Sequence, residues 1–115
     1  MKDHKVRIVL SVRLFTDEKC FGPGVATLLR KVKELHSLRA AAMDMNMAYS
    51  KAWTIIKKAE QELGFRLLNS TTGGRHGGGA TLTEEGARLV DAYDGFCREL
   101  QDTADRLYDT YFAAF

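Results

Sequence analysis

Between residues 5 and 15, Val6, Ile8, Leu10, Val12 and Leu14 alternate with mostly polar neighbours, the two-residue period of a strand partly exposed on one face. Residues 16–20 are polar and turn-like. The period then changes. Val25, Leu28, Leu29, Val32 and Leu35 recur at helical spacing, and Phe21-Gly22-Pro23-Gly24 places a proline where a helix begins. Ser37 suits the N-cap of a short second helix whose apolar positions are Leu38, Ala41, Ala42 and Met45. A tight turn at Asn46-Met47-Ala48 leads into a third helix, from about Tyr49 to Leu63, ended by Gly64. Its buried stripe is predicted to be Ala52, Ile55, Ile56, Ala59 and Leu63.

Residues 66–69 read as a short strand, and Ala80-Thr81-Leu82 as a second that closes a hairpin over the stretch 71–81. Five glycines fall among residues 73–79. Thr83 then caps a final helix, with Glu84 and Glu85 placed to favour its dipole. This helix is predicted over about 84–111. Val90, Tyr93, Cys97, Leu100, Ala104, Leu107 and Tyr111 repeat along it at alternating steps of three and four, a heptad seam, with Leu89 and Phe96 as a second apolar edge. The seam predicts a homodimer interface made of these seven residues. The whole of 1–115 reads as one domain, mainly α with a small β component: a winged helix-turn-helix with an N-terminal strand and a long C-terminal dimerisation helix.

Charge sharpens this picture. The net charge is only +2, but residues 1–79 hold 14 Lys/Arg against 7 Asp/Glu, and residues 80–115 hold 3 against 8. A basic working half is joined to an acidic helix. In a helix-turn-helix the second helix of the pair leads into the major groove with its N-terminal residues. On the third helix Ser50, Thr54, Lys57 and Gln61 lie opposite the buried stripe, flanked by Lys51 and Lys58. That face carries hydroxyls, an amide and ammonium groups and no acid at its centre, which suits phosphates and base edges. Tyr49 and Trp53 share an edge of the stripe. Partial burial is expected for Trp53, while the Tyr49 hydroxyl is within reach of a phosphate. The glycine-rich loop lets the backbone approach another surface, with Arg75 and His76 at its tip for a minor groove. Its spacing does not match a phosphate-binding G-x-x-x-x-G-K-[ST] loop.

Other classes find little support. His4, His36 and His76 sit on separate elements and no catalytic spacing links them, so no enzyme, no metal site and no cofactor are predicted. Cys20 and Cys97 lack metal or disulfide spacing, and two free thiols suit the cytoplasm. The N-terminus has no signal-peptide core, and no segment is long enough to span a membrane.

Residues 47–86 closely resemble the winged-helix domain of ModE-type molybdate-responsive regulators, which are relatives of the LysR-type regulators. Ala48-Tyr49-Ser50-Lys51-Ala52-Trp53 is similar to that family's recognition-helix start, Thr72 to Ala80 to its wing, and Leu82-Thr83 with Gly86 to the start of the following helix. Phe21-Gly22-Pro23-Gly24 and Arg39-Ala40-Ala41-Ala42 resemble its first two helices, and Glu62 to Leu67 the LysR-type version of the next turn. The resemblance implies a DNA-binding repressor or activator that dimerises through the first and last helices. Ala48 departs from it, standing where the family usually has a capping serine. The oxyanion-binding region of the longer regulators would lie beyond Phe115, so molybdate sensing is not carried over and a separate effector-binding partner is one expectation. The functional expectation is therefore a dimeric, sequence-specific regulator of transcription on double-stranded DNA. Tyr49, Ser50, Lys51 and Thr54 would read bases, and Lys57, Lys58, Arg75 and His76 would meet phosphate or the minor groove. The alternative is a winged-helix protein–protein adaptor that uses the long helix.

Overall fold

The computed structural model describes residues 6–71 and 79–115. In chain order the elements are β1 (Leu14–Phe15), β2 (Lys19–Phe21), α1 (Pro23–Leu35), α2 (Leu38–Asp44), α3 (Tyr49–Leu63), β3 (Leu68–Thr71), β4 (Gly79–Leu82) and α4 (Glu84–Phe112). Two antiparallel hairpins, β1 with β2 and β3 with β4, flank a cluster of three helices.

The helix ends follow from their caps. Pro23 opens α1, and its C-cap His36 takes a left-handed turn at φ 57°. The Ser37 hydroxyl oxygen accepts from the Ala40 N–H at 3.0 Å and starts α2. Asn46, also left-handed at φ 54°, turns the chain toward α3. Gly64 ends α3 at φ 82°, a conformation that is strained for a residue with a Cβ. Thr83 Oγ1 accepts from Gly86 N at 2.9 Å at the start of α4. The same hydroxyl donates to the Arg66 carbonyl at 2.6 Å, so one side chain caps α4 and holds the approach to β3.

Side chains from every layer meet in one core. Phe21, Leu28, Leu29, Val32 and Leu67 are its largest fully buried members. Ala41 and Ala42 of α2 and Ala52, Ile56 and Ala59 of α3 let these two helices pack closely on α1. The β3–β4 hairpin pairs Leu68 with Leu82 and Thr71 with Gly79. It docks on the helices through the Ala80 N–H, which donates to the His36 carbonyl at 3.0 Å.

Three expectations need correction here. The strand expected over 5–15 is reduced to Leu14–Phe15, and residues 6–13 have no strand partner among the described residues. The alternation reports an extended backbone with two faces, but this segment runs along α4. Tyr93 Oη donates to the Val12 carbonyl at 2.7 Å, and Tyr108 Oη donates to that of Val6. Burial, and then the neighbouring Cys97, push the Tyr93 phenol above its ordinary pKa, so it keeps the donated proton. The residues read as a plain turn, 16–20, partly form β2, whose Lys19 and Phe21 pair with Phe15 and Leu14. The strand expected at 66–69 is displaced to Leu68–Thr71, because the N–H groups of Leu67 and Leu68 are taken by the Glu60 carboxylate.

The heptad stripe of α4 divides in two. Val90 and Tyr93 are 5% and 6% exposed, packed inside the chain's own core, with Tyr93 edge-on to Phe21 at 5.1 Å between ring centroids. Cys97 and Ala104 are half-buried, whereas Leu100, Leu107 and Tyr111 are exposed, as is Phe96.

Candidate nucleic-acid interface

The solvent-facing side of α3 is set by its alanines. Ala52 and Ala59 face the core, so the opposite side projects from the body of the molecule. Tyr49, Ser50, Lys51, Thr54, Lys57, Lys58 and Gln61 are all exposed there. The N-terminus of α3 has no side-chain cap and no acid in its first turn. Its leading N–H groups therefore face outward without a side-chain oxygen competing for them, in the positive field of the helix. Thr54 Oγ1 donates to the Ser50 carbonyl at 2.9 Å, which leaves the hydroxyl oxygen available as an acceptor.

Two residues of this region take places that the pattern did not assign. Arg39, on α2, stacks its guanidinium over the Tyr49 ring at 4.3 Å. It brings a third kind of donor to the head of α3, beside Lys51 and the free backbone. Its position outside the apolar stripe of α2 is the signal that could have found it. Trp53, expected to be partly buried, is 49% exposed, with the Lys57 ammonium 5.6 Å from its ring centroid.

Glu60 explains how α3 is held. Its carboxylate accepts from the N–H groups of Leu67 at 2.7 Å and Leu68 at 3.2 Å, and Lys57 Nζ lies 3.4 Å from its other oxygen. The side chain is only 10% exposed. It fastens the C-terminal half of α3 to the base of the β3–β4 hairpin and turns its charge inward. Farther along, Glu62 accepts from the Thr16 hydroxyl at 2.8 Å and ties α3 to the first hairpin. Acids are thus present on α3 only in its second half, and these two are engaged with the fold. Gly86 permits the closest approach in this region: a Cβ there would lie 2.6 Å from the Leu67 carbonyl oxygen.

A family model, bacterial regulatory helix-turn-helix protein, lysR family, matches residues 26–87, from α1 to the start of α4. The chain belongs to this family. As a regulatory helix-turn-helix protein it is a DNA-binding module of transcriptional control, with α2 and α3 as the helix-turn-helix pair and β3–β4 as the wing. It is 33% identical over 106 residues to "DNA-binding transcriptional dual regulator ModE" of Escherichia coli K12, covering 91% of this chain and 40% of that protein. It is also 33% identical over 66 residues to "Molybdenum-pterin-binding protein MopB" of Rhodobacter capsulatus, covering 57% of this chain and 24% of that one. The chain therefore spans well under half the length of these relatives. Among solved structures, ArgP from Mycobacterium tuberculosis superposes with a TM-score of 0.53 over 74% of this chain and 30% of that one, at 21% identity, a likeness of fold.

The wing tip, with Arg75 and His76, lies outside the described residues. The structure gathers Tyr49, Ser50, Lys51 and Thr54 around the head of α3, and Lys57 and Lys58 one to two turns farther along. Among the described residues no group of His, Cys, Asp and Glu is arranged to hold a metal, and no helix is long and apolar enough to cross a membrane. Cys20 and Cys97 are both free thiols.

Proposed function

We propose that the chain binds double-stranded DNA sequence-specifically as a homodimer, with α3 in the major groove and the glycine-rich wing beside the minor groove. The observation that carries this reading is the head of α3: exposed Tyr49, Ser50, Lys51 and Thr54 around an uncapped, acid-free helix start, with Arg39 over Tyr49. Ser50, Lys51 and Thr54 offer hydrogen bonds to base edges, and Arg39, Lys57 and Lys58 offer charge to phosphates. Arg75 and His76 join them from the wing in the sequence reading. In this reading the exposed apolar residues of α4 serve a second copy. The similarity to ModE of Escherichia coli, a DNA-binding transcriptional dual regulator, supports transcriptional control.

Selection of bound fragments from random DNA, followed by titration at several salt concentrations, tests the reading. A recurrent, two-fold symmetric motif is expected, with affinity falling linearly on a logarithmic salt scale. Failure to enrich any motif, with no retention on heparin, would favour the protein–protein adaptor instead.

A further inference from the structure

Behind the exposed face of α3, a cleft of about 340 Å³ opens between that helix, β2 and the start of α1. Its apolar walls include Val25 of α1, Ile55 of α3 and Met47 from the turn before α3. Lys19 and Lys58 are its two charged residues, and no acid lines it. Both lysines are exposed residues, and no ion pair holds either of them among the described residues. The cleft is within the size range of small-molecule sites, about 300–1,000 Å³, which combine apolar walls with a few placed polar groups.

Gly24 is the second observation. It sits in the first turn of α1, directly after Pro23. No left-handed φ requires it, and a Cβ added there would meet nothing within 4 Å. Neither backbone conformation nor packing accounts for the glycine, but Gly24 lines the cleft, so its missing side chain keeps that space open. The local field has the matching sign. Pro23 has no N–H, and Ala26 makes the first helical bond, to Gly22, so the N–H groups of Gly24 and Val25 have no helical acceptor.

We propose that this cleft is a binding site for a small amphipathic anion, an aryl or short acyl carboxylate, with its apolar body against Val25, Met47 and Ile55 and its carboxylate between Lys19 and Lys58. A bare inorganic anion would leave the apolar walls uncovered, and a neutral hydrocarbon would leave the two ammonium groups unanswered. Because Met47 and Ile55 belong to the lead-in and flank of α3, an occupant would touch the element that carries the candidate interface. The site itself does not depend on DNA binding, and its test uses no DNA.

Benzoate, its neutral analogue benzamide and inorganic phosphate would each be titrated into the full chain, following the Met47 and Ile55 methyl resonances. Saturable benzoate shifts are expected, with benzamide at least fivefold weaker. Gly24→Leu, which fills the open space, should abolish the shifts while leaving the rest of the spectrum native. Lys19→Ala should weaken benzoate several-fold and leave benzamide unchanged. Unmoved resonances at millimolar benzoate would overturn the proposal, as would equal shifts in Gly24→Leu. Saturation by inorganic phosphate that benzoate fails to displace would also overturn it, assigning the cleft to a phosphate.

Discussion

At the scale of single residues, the interface combines groups that differ in how firmly they are held. Lys51 stands in the first turn of α3 with no ion pair among the described residues, whereas Lys57 leans on Trp53 and Glu60. Lys51→Ala is therefore expected to cost about 1–3 kcal/mol on the selected DNA site and to relax preference at one or two base pairs. Arg39→Ala should weaken selected and scrambled DNA alike and lower the salt slope by about one unit. Anisotropy titrations on both DNAs separate the two roles, and the reverse assignment would place base reading on α2. The Arg39–Tyr49 stack was not legible in the sequence, since ten positions and a turn separate the partners and only the fold brings them together. The doubly accepting Glu60 was hidden for a related reason: its partners are backbone N–H groups, which leave no mark in residue type. A second residue-level test concerns Asp94, whose carboxylate receives both Nε and Nη2 of Arg30 at 3.2 and 2.6 Å. The hydrogen bond from Arg30 holds Asp94 below the usual carboxylate range, so the unfolded chain takes up this proton first as pH falls. The stability it adds is complete above the unfolded value of about 3.9 and disappears as pH drops through the folded value. The side chains are 45% and 31% exposed, so screening limits that contribution to no more than about 1 kcal/mol. Asp94→Asn should lower the melting temperature slightly at neutral pH, with the difference from wild type vanishing in acid. A difference that persisted unchanged to the acid limit would mean that shape, not charge, matters at this position.

At the scale of elements, the helices were legible because each carries local punctuation: Pro23, Ser37, Gly64 and Thr83 mark ends that the structure places within a residue or so of the sequence reading. The N-terminal segment was not legible in the same way. An alternating pattern fixes extended backbone and two faces, but the choice between a neighbouring strand and a helix surface lies with distant residues, here Tyr93 and Tyr108. Two glycines show how the same residue type acts differently in one helix. Gly86 is compressed against the Leu67 carbonyl, so Gly86→Ala must push the wing base from α4 and should cost about 1–3 kcal/mol. Gly95 lies inside α4 with nothing within 4 Å of an added Cβ. Gly95→Ala should therefore stabilise the chain by about 0.5–1 kcal/mol through helix propensity alone. Urea denaturation of the two variants reads both signs. Equal effects would mean that the close approach at Gly86 is relieved by a shift of the hairpin.

At the scale of the whole molecule, α4 makes the chain longer than its own core can account for. The radius of gyration is 17.6 Å, against about 13 Å for a compact chain of this length, and the long axis reaches 59 Å. The first turns of α4 are anchored by Val90, Tyr93 and the Arg30–Asp94 pair. From Phe96 onward, the extended N-terminal segment lies against one flank, reaching Tyr108, and the other flank exposes Phe96, Leu100, Leu107 and Tyr111. An isolated helical extension of that length is marginal in water, and these four exposed apolar side chains lie on one side of the helix. A second copy lying against this flank would cover the exposed stripe of each chain and join two α3 helices in one assembly, as a two-fold operator requires. Leu107 is the sharpest place to test this, because it is 53% exposed in the single chain and lies well beyond the core anchors. Leu107→Asp should leave the fold intact, as read by an unchanged near-ultraviolet spectrum, because no core contact is lost. It should convert dimer to monomer in sedimentation at micromolar concentration. Binding to the full two-fold site should fall by at least tenfold, while binding to an isolated half-site stays within about twofold, since each α3 keeps its own contacts. A variant that stays dimeric would remove the exposed flank of α4 from the interface. A variant that becomes monomeric yet binds the full site as tightly as before would show that each copy reads DNA alone.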